Sequence, residues 1–342
     1  MARFVIPGAT EVLVGPLPDE LLPPRPGRTS VAVFGQPGAA HVTAQVVDRL
    51  AGRGLEVHTT TLPDRDGAKE YPVVAEAWRW LADGAIGRGD TIVGVGGGAL
   101  TDAVGFIAAT WLRGVESVYV PTTLLGAVDA SIGGKTGINV VGKNLVGAFA
   151  HPARVLIDPS SFEGLPAEVY AEGLAEALKA GYLADQDLVA LLRADGASAD
   201  PTEVVERAVA VKVDVVAEDF TEQGRRAILN YGHTLGHGIE LVAGISHGEA
   251  IAVGMVAAAV VSSTITGFDA VEEHRTTIAG LGLPTSAPAG LDVEAVLDLV
   301  GHDKKRTAEG IRMVLLEGYG APVLRTVAEG DLRVGLAAVG IG

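Results

Sequence analysis

A row of polar side chains, spaced as on one face of a helix, ends in two histidines within residues 222–247. At about 100° per residue, a helix over 222–243 brings five of them into an arc of roughly 80°. These five are Glu222, Arg226, Asn230, His233 and His237. Because apolar residues flank the row, the helix is expected to be buried with its polar face turned into a cavity. Burying such groups costs free energy unless they satisfy one another or bind a ligand, so the row predicts an active site.

The histidine pair alone has a plainer explanation. Two histidines four residues apart on a helix are explained about equally well as a hydrogen-bonded structural pair. An active site is favoured by the rest of the row, by a third histidine at His247, and by the poor helix formers Gly232 and Gly236. The motif H-T-L-G-H lacks the glutamate of the H-E-x-x-H zinc proteases, which disfavours that class.

The absence of cysteine restricts the metal chemistry open to the chain. A bound metal would need histidine and carboxylate ligands. Residues 166–181 place Glu168, Glu172, Glu176 and Lys179 on one helical face. A glutamate with two histidines is a recognised catalytic zinc set that leaves one position open for water or substrate. The pattern does not decide which glutamate takes part.

A glycine-rich turn, V-G-V-G-G-G-A-L-T-D at 93–102, follows a predicted strand and opens a predicted helix. That geometry places a phosphate on backbone amides at a helix amino terminus. Gly94, Gly96 and Ala99 fit G-x-G-x-x-A, but the turn follows the third strand of the alternating region, where an ordinary Rossmann fingerprint does not lie. The turn favours nucleotide binding without identifying the nucleotide.

A second loop rich in small and polar residues follows the next strand, at 121–144. Its G-G-K-T resembles the end of a P-loop, but Asp129 stands where the first glycine of that motif is required, so a P-loop is excluded. The loop presents Asp129, Lys135, Lys143 and Asn144. Lysines beside glycine-rich backbone suit a phosphate or carboxylate, whereas the alternative is a solvated loop. We favour the anion site.

Short β-branched runs alternate with helical patterns in the first half of the chain. The runs are Ser30–Phe34, Glu56–Leu62, Thr91–Val95, Ser117–Val120 and Arg154–Ile157. This alternation predicts a Rossmann-like parallel sheet covered by helices, over residues 1–160. Helical patterns dominate 161–342, apart from one β-like run at Ile311–Leu316. An α/β domain followed by an all-α domain is therefore expected, with a ligand cleft between them.

Composition excludes several function classes. The 342 residues are 48% hydrophobic and 20% charged, as in ordinary globular proteins, and the formal charge of −16 argues against nucleic acid and anionic membranes as partners. The amino terminus shows no signal-peptide pattern. The most apolar run, Ile251–Val261, is too short to span a bilayer. A cytoplasmic enzyme is expected.

Several motifs in order resemble those of the bacterial 3-dehydroquinate synthases, a sugar-phosphate cyclase family with the dehydroquinate synthase-like fold. The similarity extends over nearly the whole chain. The matching motifs are G-G-G-A-L-T-D, W-L-R-G, P-T-T-L-L-G-A-V-D-A-S-I-G-G-K-T, G-K-N-L-V-G-A-F, G-L-A-E-A-L-K, L-N-Y-G-H-T-L-G-H, S-H-G-E and H-D-K-K.

The resemblance implies a metal site, a substrate site and a cofactor site. Zinc, for which cobalt can substitute, would be held by Glu176, His233 and His247. The substrate would meet Arg113, Asp129, Lys135, Asn144, Lys179, Lys212, Glu222, Arg226, Asn230, His237 and one of Lys304 and Lys305, of which Lys304 is preferred. Catalytic roles would fall to His237, Lys135, Glu222, Arg226 and Asn230. NAD would face Asp66, Lys69, Gly97, Gly98, Asp102, Thr122, Thr123, Asp129 and Lys143.

Four positions depart from the family pattern. Asp66 stands where glutamate is usual, Thr101 where glycine is frequent, and Phe220 where an acidic residue often follows Asp219. The loop between Thr136 and Lys143 is one residue short. The first three are expected to be tolerated, whereas the shortened loop bears on the placement of Lys143 and Asn144.

The reaction implied by the resemblance converts 3-deoxy-D-arabino-heptulosonate 7-phosphate to 3-dehydroquinate and phosphate, in the shikimate pathway to chorismate and aromatic amino acids. NAD would oxidise the C5 hydroxyl, phosphate would be eliminated, the ketone would be reduced again, and an aldol step would close the ring. His237 would transfer protons, and Arg113 would reach the phosphate from the neighbouring subunit of a homodimer.

Three alternatives stay open at this point. One is a related cyclase that makes an amino-dehydroquinate, deoxy-inosose or valiolone-type product. Another is a metal-dependent alcohol or glycerol dehydrogenase of the same fold, although those relatives lack the G-G-K-T and G-K-N motifs. The third is a non-enzymatic binding protein, which the complete set of presumed catalytic residues disfavours.

Overall fold

The computed structural model describes residues 1–302, 306–307 and 310–342. The chain divides into two compact units. The first comprises Met1–Leu165 with Lys212–Thr221, and the second Pro166–Val211 with Glu222–Gly342. The expected division into 1–160 and 161–342 did not anticipate that 212–221 belongs with the first unit.

A seven-stranded sheet forms the centre of the first unit. The strands of this unit are β1 (Ala2–Ile6), β2 (Thr10–Val14), β3 (Ser30–Gly35), β4 (Glu56–Thr61), β5 (Thr91–Gly96), β6 (Glu116–Pro121), β7 (Lys135–Ile138), β8 (Val146–Phe149) and β9 (Arg154–Ile157). The sheet order is β1-β2-β9-β6-β5-β3-β4, and β7 and β8 form a separate antiparallel hairpin. All neighbouring strands of the large sheet are parallel except β1 and β2. The parallel sheet expected from the alternating pattern is confirmed.

Helices cover this sheet because its central strands carry apolar side chains toward both faces. The helices of the first unit are α1 (Ala40–Ala51), α2 (Tyr71–Asp83) and α3 (Gly98–Thr110). The core includes Val31, Val33, Val93 and Val95 from the adjacent strands β3 and β5. From β3 the chain passes to β4 on one side, whereas from β5 it passes to β6 on the other side, so the strand order reverses between β3 and β5. Ligands of open α/β sheets bind at such a point.

The second unit is mainly helical. Its helices are α4 (Ala167–Ala184), α5 (Gln186–Asp195), α6 (Pro201–Glu218, whose last turns belong to the first unit), α7 (His233–Ala243), α8 (His247–Thr266), α9 (Val271–Gly280), α10 (Val293–His302) and α11 (Glu329–Ala338). An antiparallel sheet of β10 (Arg306–Thr307), β11 (Gly310–Gly318) and β12 (Ala321–Val327) accompanies them. The β-like run at Ile311–Leu316 is confirmed as β11. The expectation of an all-α unit was therefore incomplete, because β12 pairs with it.

Among the described residues, α8 is the one helix long and apolar enough to cross a membrane. Its apolar window is 72% buried within the protein, and the helix packs against α4, α7 and α11. Its apolar composition is therefore explained by its position in the core of the second unit.

The single helix expected over 222–243 is wrong. A 3-10 helix covers Arg225–Asn230, the chain turns at Gly232, and α7 begins at His233. Gly232 has φ +79°, and a Cβ there would lie 2.6 Å from the side chain of Met255, so this turn beside α8 requires glycine. The polar row is consequently not one helical face.

Candidate active site

Glu176, His233 and His247 converge in the second unit. Glu176 lies in the middle of α4, while each histidine is the first residue of its helix, α7 or α8. Oε1 of Glu176 is 3.5 Å from Nε2 of His233 and 3.4 Å from Nε2 of His247. An ion bound at about 2.1 Å by tetrahedral ligands keeps those ligand atoms about 3.4 Å apart. The two distances from Glu176 match that spacing, and one ligand atom from each of the three side chains lies within 4.8 Å of the others, so the group could hold a metal ion.

Local structure fixes the start of α8, where His247 lies. Ser246 accepts a hydrogen bond from the backbone N–H of Glu249, and the Glu249 carboxylate accepts one from the backbone N–H of Ser246. This reciprocal cap defines the first turn of the helix. Beside it, a Cβ at Gly248 would lie 2.4 Å from Cα of Glu172, so α4 and α8 approach at their backbones. That approach brings Glu176 within reach of His247.

The charges around Glu176 favour its ionised form. Its side chain is 1% exposed, and Lys179, one turn further along α4, forms an ion pair with Oε2. Burial alone raises the pKa of Glu176, but the charge of Lys179, followed by His233 and His247, holds that pKa well below its usual range. Neither carboxylate oxygen makes a hydrogen bond of standard geometry to a described residue. An ionised carboxylate in this setting fits a metal ligand.

The histidine tautomers are fixed by different acceptors. Nδ1 of His233 lies 3.1 Å from the backbone oxygen of Tyr231, and Nδ1 of His247 lies 3.0 Å from Oε2 of Glu240. With the Nδ1 protons donated to these oxygens, Nε2 is the atom that each ring turns toward Glu176, and it presents a lone pair there when the ring is neutral or when a cation displaces its proton. Burial lowers the pKa of His233, which keeps it neutral. For His247, burial is outweighed by Glu176 and Glu240, which raise the pKa to about 9.

The remaining residues expected in the second unit lie nearby in sequence but differ in environment. His237 is exposed, with its ring centroid 5.1 Å from that of His233. Nδ2 of Asn230 donates a hydrogen bond to Oε1 of Glu222. Arg226 is fully buried in the 3-10 helix, which packs against α4, β11 and β12. Lys304 and Lys305 lie outside the described residues.

The glycine turn of the first unit lies at the strand-order reversal. Gly97 and Gly98 open α3 directly after β5, and the side chain of Gln36, just after β3, accepts a hydrogen bond of 3.0 Å from the backbone N–H of Gly97. A Cβ at Gly98 would lie 2.8 Å from Cβ of Ala130, in a π-helical turn over Gly126–Ala130. Glycine is therefore required where α3 and this turn meet. The arrangement suits a pyrophosphate at a helix amino terminus.

Other residues expected at the cofactor surround this turn or lie close to it. Nζ of Lys69 is 2.5 Å from Oδ2 of Asp102 in the first turns of α3, and burial raises the pKa of Asp102 despite the lysine. Thr122 is buried, and Thr123 accepts a hydrogen bond from the backbone N–H of Gly126. A depression in the surface is lined by Asp66, Glu70, Asn139, Val140, Gly142 and Lys143. Across it, Nζ of Lys143 lies 3.3 Å from Oδ2 of Asp66, so the shortened loop places side by side two residues that were both expected to face the cofactor.

Of the residues expected to bind an anion in the first unit, some lie close together and others lie apart. Asp129 forms an ion pair with Lys212, which belongs to the segment that joins this unit. Lys135 and Asn144 are exposed on and beside the β7–β8 hairpin. Arg113 is exposed, with φ +67°, beyond the carboxyl end of α3. A helix of 13 residues is about 20 Å long, so Arg113 lies far from Gly98 at the other end.

Phe220 is accommodated by aromatic packing. Its ring stacks on His151 at a centroid distance of 3.8 Å and meets the edge of Phe149 at 5.5 Å. A Cβ at Gly134 would lie 2.8 Å from the same ring. Phe220 therefore packs on the segment that precedes Lys135, where an acidic side chain could not make these contacts.

Sequence reasoning missed Glu240 and Gln36. Glu240 lies three residues after His237 and seven before His247, and Gln36 follows the first strand of the parallel region. Glu240 could have been found from its helical spacing to His237, but its contact with His247 depends on the turn between α7 and α8. No sequence signal identified Gln36.

Two family models cover most of the chain. The model described as 3-dehydroquinate synthase N-terminal matches residues 59–172, and the one described as 3-dehydroquinate synthase C-terminal matches residues 173–306. The chain belongs to the 3-dehydroquinate synthase family. Family, enzyme class and fold class are thereby confirmed as the sequence motifs indicated.

Relatives agree with this assignment. The 3-dehydroquinate synthase of Mycolicibacterium vanbaalenii is 45% identical over 323 residues, covering 91% of this chain and 90% of the relative. A 2-deoxy-scyllo-inosose synthase structure with carbaglucose-6-phosphate, NAD+ and Co2+ has a TM-score of 0.88 at 25% identity, covering 98% of this chain and 99% of that one. The 2-epi-5-epi-valiolone synthase of Streptomyces hygroscopicus subsp. jinggangensis 5008, with NAD+ and Zn2+, has a TM-score of 0.86 at 25% identity, covering 96% of each chain. Solved relatives thus hold NAD+ with a divalent metal.

Proposed function

We propose that the chain converts 3-deoxy-D-arabino-heptulosonate 7-phosphate to 3-dehydroquinate and inorganic phosphate. The observation that carries the proposal is the convergence of Glu176, His233 and His247, with ligand atoms within 4.8 Å of one another, in a chain of this family. Such a site leaves one coordination position for substrate oxygens. Lys179, ion-paired with Glu176, adds a positive charge for an anionic substrate.

Two bound groups are part of the proposal. Zinc, replaceable by cobalt, binds Glu176, His233 and His247, and NAD binds the glycine turn of the first unit with the residues named beside it. When bound, NAD supplies a hydride acceptor and donor, and zinc supplies a Lewis acid for substrate hydroxyls. We infer that residues 1–160 form the NAD-binding domain and 161–342 the metal- and substrate-binding domain.

The side chains supply charge, orientation and proton transfer. His237 is the acid–base group, since its imidazole is exposed beside the proposed metal ligands and histidine is the side chain most often used for proton transfer in catalysis. Arg226, Lys212 and Lys304 bind the substrate carboxylate. The hydrogen bond between Asn230 and Glu222 orients both groups toward substrate hydroxyls.

The phosphate of the substrate requires further cations. Lys135 and Asn144 extend from the β7–β8 hairpin to hold it, and Asp129 orients Lys212 through their ion pair. Arg113 is exposed at the far end of α3. We infer that it completes the phosphate site of a neighbouring subunit in a homodimer, and that the enzyme works in the cytoplasm.

The decisive experiment follows phosphate and NADH together. Purified protein is incubated with zinc, a catalytic amount of NAD and the heptulosonate 7-phosphate. A cyclase that restores its cofactor in each cycle releases one phosphate per substrate while NADH absorbance stays at zero. A dehydrogenase accumulates NADH with product, and a binding protein changes neither signal. Either of the latter results contradicts the proposal.

A second candidate is a cyclase of another branch, which the likeness to 2-deoxy-scyllo-inosose synthase, with a TM-score of 0.88, supports. Sedoheptulose 7-phosphate lacks the C1 carboxylate for which Arg226 and Lys212 are proposed. Phosphate release from sedoheptulose 7-phosphate, without release from the heptulosonate, would favour this candidate. A matched Arg226→Gln variant should lose activity on the heptulosonate more than on any carboxylate-free substrate.

A further inference from the structure

We propose that Glu240 is a positioning residue, which holds the ring of His247 so that Nε2 faces the metal. The inference rests on the metal site proposed above. Oε2 of Glu240 lies 3.0 Å from Nδ1 of His247, whose other ring nitrogen is 3.4 Å from Glu176. The imidazole therefore lies between two carboxylates, one for each ring nitrogen.

The position of Glu240 is unfavourable unless the carboxylate has a function. It lies in the last turn of α7, where the backbone N–H of Gly244 closes the helix on the Glu240 carbonyl. A negative charge at a helix carboxyl end is repelled by the helix dipole. Its side chain is also 11% exposed, and burying a carboxylate costs free energy unless it is paired. The N–H of His247 offsets both costs.

The two histidine ligands differ in the acceptor behind them. His233 donates to the neutral backbone oxygen of Tyr231 at 3.1 Å, whereas His247 meets a carboxylate. A charged acceptor orients the ring and makes its other nitrogen more basic than a neutral acceptor does. Removing Glu240 should therefore weaken the bond that His247 makes to a cation, while His233 keeps its acceptor.

Glu240 also lies beside the proposed acid–base group. One oxygen of Glu240 and one ring nitrogen each of His237 and His247 are all within 4.8 Å of one another. This second cluster has the composition of a metal site itself. The experiment must therefore separate a positioning role of Glu240 from direct metal ligation by Glu240.

Zinc affinity, measured by competition with a chelator on the full chain, tests the role without relying on activity. Glu240→Leu should bind one zinc per chain roughly 10- to 100-fold more weakly, the usual effect of removing a partner of a metal-bound histidine. Glu240→Gln should fall in between, because its amide oxygen accepts the same N–H without the charge. In the cobalt-substituted protein, the visible absorption of both variants should shift while one cobalt stays bound.

Glu249→Gln is the matched control, because Glu249 caps the same helix end at Ser246 without serving as an acceptor for His247. If Glu240 acts only by supporting the fold, Glu249→Gln and a Glu240 variant that lose the same thermal stability should also lose the same zinc affinity. Wild-type affinity in a folded Glu240→Leu or Glu240→Gln protein overturns the inference.

Two further variants separate failure of this inference from failure of the metal site. Glu176→Ala should lose the zinc, and His237→Ala should retain it. Should Glu176→Ala retain zinc while Glu240→Leu and His237→Ala lose it, the metal belongs to the second cluster and both proposals are wrong. Should Glu176→Ala lose zinc while Glu240→Leu binds it normally, only the positioning role is wrong.

Discussion

Nζ of Lys69 lies 2.5 Å from Oδ2 of Asp102, and this ion pair joins a 3-10 turn over Arg65–Lys69 to the first turns of α3. The lysine side chain is only 3% exposed, whereas that of Asp102 is 23% exposed. A lysine this deeply buried depends on its partner, because the ammonium group has little access to water. The pair lies close to the glycine turn that opens α3, so we predict that stability and binding of the proposed cofactor are linked there.

Replacing one partner of this ion pair should lower the free energy of unfolding more than replacing both partners. Asp102→Asn leaves the Lys69 charge buried, and we expect a loss of about 2–4 kcal/mol in the free energy of unfolding, somewhat below the value for a fully buried pair because Asp102 is partly exposed. The double variant Lys69→Met with Asp102→Asn should recover part of that loss. Chemical denaturation of the wild type, Asp102→Asn, Lys69→Met and the double variant gives the coupling, and additive losses would contradict it. NAD affinity should fall in every variant.

Variants of the proposed metal ligands and of the proposed acid–base histidine should differ in the amount of zinc that they bind. His233→Ala removes an atom 3.5 Å from the Glu176 carboxylate and should abolish zinc binding. His237→Ala should keep one zinc per chain and lower turnover roughly 10²- to 10⁴-fold, as for an acid–base group. Elemental analysis with single-turnover kinetics measures both. Zinc lost from His237→Ala and retained by His233→Ala would reverse the two roles.

The parallel sheet could be predicted because its strands are buried on both faces and appear as short apolar runs. The break at Gly232 could not, because the polar spacing of 222–237 continues with a helical period across it. Its φ of +79° and the close approach of Met255, which excludes a side chain there, belong to the tertiary structure. The strand β12 was missed since Pro322 weakens its pattern, and the structure places it at the sheet edge, where proline is tolerated.

Spacing alone could not choose Glu176 among the glutamates of α4; the family motif did. The structural reason is the packing of α4 on α8, which turns Glu176 toward His247 and brings Glu172 against Gly248. Such contacts join residues about seventy positions apart and leave no period in the sequence. Glu240 lies only seven residues from His247, but it was not predicted because their contact depends on the turn between α7 and α8.

Adding a methyl group at Gly248 tests the link between packing and the metal site. In Gly248→Ala the new Cβ would lie 2.4 Å from Cα of Glu172, a backbone atom that cannot move aside, so α4 and α8 must separate. We expect a loss of about 1–3 kcal/mol in the free energy of unfolding and weaker zinc binding. Gly330→Ala in α11 meets nothing within 4 Å and serves as control. It should keep zinc affinity and gain up to about 1 kcal/mol.

A buried histidine outside the site should make the stability of the second unit depend on pH. His274 is fully buried, with its ring stacked on Tyr182 at 3.6 Å and its two nitrogens 3.1 Å and 3.4 Å from the hydroxyls of Tyr231 and Tyr319. Burial lowers its pKa to about 3. The three tyrosines around it, Tyr182, Tyr231 and Tyr319, stay neutral at acid pH, because burial raises the pKa of each above its usual value.

Because the folded pKa of His274 lies below the unfolded value of about 6.5, its stabilising contribution is complete above pH 6.5 and is lost as the pH falls toward 3. Between pH 7.5 and 5.5 the unfolded chain gains this proton and the folded one does not, which lowers the free energy of unfolding by about 1.4 kcal/mol. His274→Gln keeps one donor and one acceptor but loses the ring that stacks on Tyr182, so it should be less stable at pH 7.5. Because glutamine cannot take up the proton, the variant should lose about 1.4 kcal/mol less on acidification. Urea denaturation of both proteins at the two pH values measures the difference, and equal losses in both would show that His274 does not cause the pH dependence.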